Sequence, residues 1–196
     1  MGGVTDQLVT IGELAASGRK DYASFIEGVK VQHEQLYYNL IENKPDEQFY
    51  KIIEEFEDIC KGVWLLRELT PRSADYIYST GERLSTLIIS EFFRNEGIDV
   101  TLYDSRNYII TDDHFGHARV DFKETTKRLK EVSKTFSKVN LFPGFIASTA
   151  DNQTTTLGRG GSDYSAAILA GVLNADHFEV WTDVDGLMTA DPRMVK

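Results

Sequence analysis

A glycine-rich segment near the C-terminus constrains the fold more than any other part of the sequence. Residues 154–167 read TTTLGRGGSDYSAA, and an apolar run follows them. A short β-branched stretch, then glycines, then a helical pattern is typical of a strand–loop–helix unit in an α/β protein. Because glycines let backbone N–H groups converge, and because we expect a helix to open at Ser162 or Asp163, the segment predicts an anion-binding loop. We call residues 158–163 the glycine loop.

Two charged residues of opposite sign lie in this loop. Arg159 carries a planar guanidinium that suits a carboxylate or phosphate, and Asp163 adds a negative charge within one turn. Both signs together favour an amphoteric ligand. The alternative is a purely structural loop in which Ser162 caps the helix, the glycines form a tight turn and Arg159 is solvated.

The remaining pattern predicts a single α/β domain over residues 1–196, mostly helical in residues 1–97 and α/β in residues 98–196. Alternation of strands and helices in the second part predicts a mostly parallel sheet with helices on both faces. The expected helices cover a segment from residue 6, residues 21–69 with a break at Pro45, residues 73–95, residues 122–136 and the segment from the glycine loop to residue 173. The expected strands are residues 99–103, 154–157 and 178–181, together with residues 139–147, read as a buried strand that ends at a Pro-Gly turn.

Composition limits the partners. The formal net charge of −10 at pH 7 argues against nucleic acid or an anionic membrane, because there is no basic excess to displace counterions. The single cysteine, Cys60, cannot form an intramolecular disulfide, and no signal-peptide pattern or long apolar run is visible. A cytoplasmic protein fits these features.

Two further positions are candidates for binding. Glu82 follows Gly81 inside a predicted helix, where a glycine suggests close approach of backbone or ligand, although a surface carboxylate is the simpler interpretation. Thr182 and Asp183 come at the end of the last predicted strand, where α/β proteins bind ligands. The alternative there is an Asp-Gly turn.

Several common sites are missing from the sequence. It has no G-x-x-x-x-G-K-[ST] loop, no dinucleotide-binding G-x-G-x-x-G after a strand and no G-x-S-x-G elbow. The four histidines and Cys60 show no metal-ligand spacing, so we predict no metal-binding set of the protein's own.

Four motifs, in order, resemble one family. They are GGVTDQLV at the start, YSTGERLST at residues 78–86, TTTLGRGGSDYSAA, and EVWTDVDGLMTADPR at residues 179–193. The chain resembles the kinase domain of the aspartate kinases, in the amino-acid kinase superfamily, over essentially its whole length. It is most similar to the kinase part of bifunctional aspartokinase-homoserine dehydrogenases.

The resemblance implies a three-layer α/β/α sandwich and transfer of the ATP γ-phosphoryl group, with Mg²⁺, to the β-carboxylate of L-aspartate. The product is 4-phospho-L-aspartate, at the first step of lysine, threonine and methionine synthesis. Matching positions implies that Arg159 holds the α-carboxylate, Glu82 the ammonium group, and Asp163 is catalytic. The other substrate contacts implied are Thr5, Gly160, Gly161 and Ser162, and the nucleotide contacts are Thr182, Asp183, Met188 and Arg193.

The sequence also departs from the family pattern. The initial K-F-G-G-T-S strand motif and the later G-A-K segment, each with a phosphate-contacting lysine, are not found. We therefore expect a kinase domain lacking both ends, with little activity as an isolated chain and with self-association or a homodimer. The alternative is a non-catalytic module that binds aspartate or nucleotide, or that assembles with a kinase.

Overall fold

The computed structural model describes residues 3–181 of the chain. Four helices come first, and an α/β part follows. The elements are α1 (Val4–Ala16), α2 (Tyr22–Ile41), α3 (Glu47–Leu66), α4 (Pro71–Asn95), β1 (Val100–Leu102), β2 (Ile110–Thr111), α5 (Phe122–Val132), β3 (Val139–Leu141), β4 (Ile146–Thr149), β5 (Thr154–Thr156) and α6 (Gly161–Leu173), with short 3₁₀ turns at Ser105–Asn107 and Ser133–Thr135.

Local capping explains where the long helices begin. The Asp46 side chain accepts a hydrogen bond from the Phe49 N–H at the start of α3, directly after the predicted break at Pro45. At the start of α4, Thr70 caps the Ser73 N–H, and Pro71 occupies the first turn. The break and both helices agree with the sequence pattern.

The helical part packs around two apolar clusters. In the first, Leu8 and Ile11 of α1 meet Phe56 of α3 and Ile77 of α4, all fully buried. In the second, the helix α3 contributes Phe49 and the helix α4 contributes Leu84, Leu87 and Ile88. Because α4 belongs to both clusters, it forms the central support of this half.

The strands lie between α4 on one side and α5 and α6 on the other. Helix α4 packs against β1 and β5, while α5 contacts β2 and α6 contacts β4. Strands β1 and β3 pair in parallel, as do β2 and β4, whereas β4 and β5 are antiparallel. This arrangement confirms the expected α/β class with parallel strands and a helical N-terminal half.

The expected Pro-Gly turn is present at Pro143 and Gly144, but the expectation of one strand over residues 139–147 is wrong. The segment forms β3 and β4, which lie in different sheets and are separated by Pro143 and Gly144. Proline has no N–H for a strand ladder, and Phe145 adopts a positive φ of 68°, so the chain turns at this point. Residues 3–181 therefore form a two-stranded and a three-stranded sheet.

The expectation of a strand at residues 178–181 is also wrong for the structure described. These residues have no regular secondary structure, and Phe178, Val180 and Trp181 are 50 %, 51 % and 89 % exposed. An alternating apolar pattern forms a strand only where a neighbouring edge supplies hydrogen bonds, and no strand within residues 3–181 pairs with this segment.

None of the helices within residues 3–181 is both long and apolar enough to cross a bilayer.

Candidate active site

A cleft of about 260 Å³ brings together the start of α1, the middle of α4 and the glycine loop. It is lined by every predicted catalytic and substrate-binding residue, together with Phe145 and Gly158. These predicted residues are Thr5, Glu82, Arg159, Gly160, Gly161, Ser162 and Asp163. Residues from three separated parts of the sequence therefore meet at one place.

Glycine is required along the loop by both conformation and space. Gly158 and Gly160 have φ angles of 75° and 73°, in the left-handed region that favours glycine. A Cβ on Gly158 would lie 2.2 Å from His117 Nδ1, and one on Gly161 would lie 2.8 Å from Phe145 Cδ2. The loop thus keeps its backbone close to neighbouring segments.

The helix α6 begins at Gly161, with Gly160 as the capping residue and without a capping side chain. The structural alternative in which Ser162 caps this helix is therefore wrong, and the helix opens one residue earlier than expected. The N–H groups in the first turn of a helix have no acceptor within it, so those of Ser162 and Asp163 face outward at the positive end of α6. This end of the helix lies at the cleft.

Opposite charges face the cleft from different elements. Arg159 and Asp163 are exposed on the loop, whereas Glu82 is half-buried on α4. Burial raises the pKa of the Glu82 carboxyl above its ordinary value. Within residues 3–181, neither Glu82 nor Arg159 forms an ion pair with another side chain. As far as residues 3–181 are concerned, both charges therefore remain available to a ligand of mixed charge.

Gly81 explains how Thr5 comes close to Glu82. A Cβ at Gly81 would lie 3.1 Å from Val4 Cγ1 and 3.3 Å from Leu8 Cδ1. The missing side chain lets α1 pack tightly across α4, and this places the first turn of α1 beside Glu82. The close approach expected at Gly81 is thus an approach of two helices.

Two buried side chains that support the cleft were missed by sequence reasoning. Asp75 of α4 accepts hydrogen bonds from Thr156, just before the glycine loop, and from Gly116. Ser165 of α6 donates to the Gly161 carbonyl and accepts from the Phe145 N–H. The spacing of Asp75 from Glu82 could have indicated its place near the cleft, because Asp75 lies two helical turns before Glu82 on the same side of α4.

A larger cleft of about 810 Å³ lies between α3, α4 and the end of β1. Its arginines are already paired, Arg83 with Glu55 and Arg106 with Asp104. The smaller cleft, where the charged groups lack such partners, is therefore the better candidate for the active site.

The sequence of this chain is similar to those of known kinases of amino acids. The model of the Amino acid kinase family matches residues 2–196. The chain belongs to the amino acid kinase family. Similar members include the bifunctional aspartokinase/homoserine dehydrogenase of Buchnera aphidicola, 33 % identical over 98 % of this chain and 24 % of that protein. Lysine-sensitive aspartokinase 3 of Escherichia coli is 37 % identical over 74 % of this chain and 34 % of that protein.

Solved structures of the amino acid kinase family show the same fold. Aspartokinase III of E. coli in complex with aspartate and ADP superimposes with a TM-score of 0.87 at 30 % identity, covering 100 % of this chain and 43 % of that one. The same enzyme in complex with lysine and aspartate gives a TM-score of 0.81. The expected amino-acid kinase fold and the similarity to aspartokinases are thus confirmed. The chain spans about a quarter to a third of the curated relatives above.

The nucleotide-binding residues inferred from the family pattern lie elsewhere in the sequence. Thr182, Asp183, Met188 and Arg193 are outside the described residues 3–181, and their roles stay predictions. Within residues 3–181, no group of three or more histidine, cysteine, aspartate or glutamate side chains could hold a metal ion. Mg²⁺ commonly binds through one or two carboxylates and substrate phosphates, so a single carboxylate such as Asp163 fits that chemistry.

Proposed function

We propose that this chain is part of an aspartate kinase, which transfers the γ-phosphoryl group of ATP to the β-carboxylate of L-aspartate and forms 4-phospho-L-aspartate. The observation that carries the proposal is the cleft in which Glu82, Arg159 and the glycine loop meet. The aspartokinases similar to this chain, and the neighbour that binds aspartate and ADP, support the choice of substrates.

The cleft offers complementary groups for a zwitterionic amino acid. The Arg159 guanidinium suits the α-carboxylate in a bidentate arrangement, and the Glu82 carboxylate suits the ammonium group. The first-turn N–H groups of Ser162 and Asp163 and the backbone of Gly160 then remain for the other carboxylate. L-Aspartate, with one cationic and two anionic groups, matches this distribution of charges.

Phosphoryl transfer depends mainly on positioning and on stabilising developing negative charge. We assign Asp163 to orientation of groups around the reacting carboxylate, and Thr5 and Gly161 to the wall that holds the substrate. Mg²⁺, which the Asp163 carboxylate could help to hold, would neutralise charge on the phosphates of ATP. The proposed nucleotide contacts are Thr182, Asp183, Met188 and Arg193.

The proposal is tested by calorimetric titration of the full chain with L-aspartate and with succinate, which lacks the ammonium group. We expect L-aspartate to bind at least about tenfold more tightly than succinate, because only aspartate engages Glu82. Arg159→Ala is expected to weaken binding of both ligands by at least about tenfold, because both lose a carboxylate contact. Lys61→Ala, which removes an exposed positive charge on α3, is the matched control.

Two results would contradict the proposal. One is the absence of aspartate binding to the folded chain at millimolar concentration. The other is equal affinity for aspartate and succinate with no effect of Arg159→Ala beyond that of Lys61→Ala. Either result would remove the amino-acid clamp from the cleft.

We also propose a cytoplasmic homodimer, as in the resemblance drawn from the sequence. Exposed apolar side chains such as Tyr38, Leu65 and Leu66 are consistent with self-association. Sedimentation velocity at several concentrations tests this, and a monomer at all of them would contradict it.

A further inference from the structure

A buried carboxylate joins α4 to the strand that leads into the glycine loop. Asp75 is 1 % exposed. Its Oδ2 accepts from the Thr156 N–H at 2.9 Å, and its Oδ1 accepts from the Thr156 hydroxyl at 2.7 Å. Both oxygens of one carboxylate are thus used to hold a single residue, which lies three positions before Arg159.

The same carboxylate also holds a second segment. Oδ2 accepts from the Gly116 N–H at 2.9 Å, and the neighbouring Ala118 N–H donates to the Thr156 carbonyl at 3.0 Å. This brings His117 against Gly158, where a Cβ would lie 2.2 Å from His117 Nδ1. Asp75 therefore fixes both the entry to the glycine loop and the segment that packs on it.

Asp75 and Glu82 share one side of α4. Seven residues correspond to almost two full turns of an α-helix, so the two side chains lie about 10 Å apart along the axis and point in nearly the same direction. One carboxylate contacts the base of the loop, and the other faces the cleft. The helix thereby links the position of Arg159 to that of Glu82.

We propose that Asp75 is a positioning residue that sets the distance between Arg159 and Glu82. This distance in turn selects an amino acid whose charged groups have a matching separation. This inference rests on the proposed binding of L-aspartate. Asp75 does not touch the ligand in this scheme. It acts through Thr156 and Gly116, which carry the loop.

The hydrogen bonds distinguish the substitutions. Asp75→Ala leaves the N–H groups of Thr156 and Gly116 without an acceptor. Asp75→Asn keeps one oxygen for both N–H groups, and its amide can donate to the Thr156 hydroxyl, which is both donor and acceptor. Thr156→Val removes only the hydroxyl and preserves the side-chain shape.

Ser79→Ala provides a matched control on the same helix. Ser79 is fully buried, and its hydroxyl donates to the Tyr76 carbonyl within α4. Its loss therefore removes a hydrogen bond within α4, whereas no hydrogen bond of the Ser79 hydroxyl to β5 or the glycine loop is present among residues 3–181.

The test measures two quantities in the full chain and these variants. Calorimetry gives the ratio of the dissociation constants of succinate and L-aspartate, and hydrogen exchange gives the protection of the amides in residues 157–161. For Asp75→Ala we expect aspartate binding to weaken at least about tenfold, the ratio to fall towards one, and the loop amides to exchange faster. Asp75→Asn and Ser79→Ala are expected to stay within about threefold of the parent chain in dissociation constant and ratio.

A simple loss of stability would lower the affinities for both ligands together and leave their ratio unchanged, which would overturn the inference. The inference would also be overturned if a folded Asp75→Ala chain kept both the parent ratio of succinate and L-aspartate dissociation constants and the parent rate of amide exchange in residues 157–161. If Asp75→Ala fails to fold, Thr156→Val decides: faster exchange in residues 157–161 supports positioning, and parent-like exchange contradicts it. If the parent chain itself does not bind aspartate while exchange responds to Asp75→Ala, the proposed function fails and the positioning of the loop by Asp75 stands.

Discussion

Gly144 lies directly against the backbone of Ser162. A Cβ added at Gly144 would come within 2.9 Å of the Ser162 Cα and 3.0 Å of its Cβ. The turn between β3 and β4 therefore contacts the first turn of α6 at the point where the candidate active site presents its N–H groups. The Pro143-Gly144 pair both ends a strand and holds the glycine loop in place.

Gly144→Ala is expected to destabilise the chain by about 1–3 kcal/mol, because the added methyl group meets backbone atoms that cannot move without shifting α6. Aspartate binding is expected to weaken as the first turn of α6 is displaced. Thermal or urea unfolding measures the first effect and calorimetry the second. Gly171→Ala in α6 is the control, because a Cβ there meets nothing within 4 Å. Equal behaviour of the two variants would contradict the packing argument.

Gly158→Ala is expected to cost about 1–3 kcal/mol from its positive φ alone, with a further penalty from the contact with His117. The double variant Gly158→Ala/His117→Ala removes the contact and leaves the backbone strain. We therefore expect it to recover part, but not all, of the stability lost in Gly158→Ala, relative to His117→Ala alone. Urea unfolding of the four chains measures this. Full recovery would show that φ is not strained, and no recovery would show that His117 does not limit the space.

Much of the candidate site was predictable because its residues have strong local signatures. The glycines of residues 158–161 follow a β-branched strand, and Arg159 and Asp163 stand out among them. Glu82 was harder to predict, since a carboxylate in a helix is most often solvated. Only the family resemblance joined it to the loop. The structure adds the reason for that proximity, which is the tight helix packing at Gly81.

The features that could not be predicted depend on contacts between residues that are far apart in the sequence. Asp75 and Thr156 are 81 residues apart, and no local pattern links a helical aspartate to a strand threonine. The division of residues 139–147 into β3 and β4 depends on which neighbours each strand finds. Residues 178–181 likewise form no strand despite their alternating apolar pattern, because no strand edge within residues 3–181 pairs with them.

Glu55 supports the helical half through a partly buried ion pair. It accepts hydrogen bonds from Arg83 at 2.6 Å and from the Tyr76 hydroxyl at 2.9 Å. Burial acts to raise the pKa of Glu55, but the hydrogen bond and charge of Arg83 outweigh it, so that the pKa lies below its ordinary value. A lowered pKa in the folded state adds stability above the pKa of the unfolded chain, and this stability is lost as the pH falls through the folded value.

Glu55→Gln is therefore expected to reduce stability near neutral pH by about 1–3 kcal/mol, because Arg83 keeps a buried charge without its partner. The difference from the parent chain is expected to shrink as the pH falls below the ordinary glutamate pKa of about 4.3. Urea unfolding across this pH range measures both effects. Glu27→Gln, which breaks the exposed pair with Lys30, is the control and should change little. A loss that does not vary with pH would contradict a charge-based origin.

Glu82 is expected to connect the stability of the ligand-free chain to the proposed binding of aspartate. Burial raises the pKa of Glu82 in the folded state, so ionisation of this carboxyl opposes folding. The protonated carboxyl contributes stability that is fully present below the pKa of the unfolded chain. This stability is lost as the pH rises through the higher pKa of the folded chain. An ammonium group at Glu82 favours the ionised form. We expect aspartate affinity to be full above the raised pKa and to fall, by up to about tenfold per pH unit, as the pH is lowered through it.

Glu82→Gln separates these two effects. Near neutral pH the ligand-free variant is expected to be at least as stable as the parent, because a half-buried charge has been removed, yet it should lose the preference for aspartate over succinate. Its remaining affinity should change only near the β-carboxyl pKa of the ligand, about 3.9. Calorimetry and unfolding on one pH series test both effects. A parent-like pH profile in the variant would show that another group binds the ammonium.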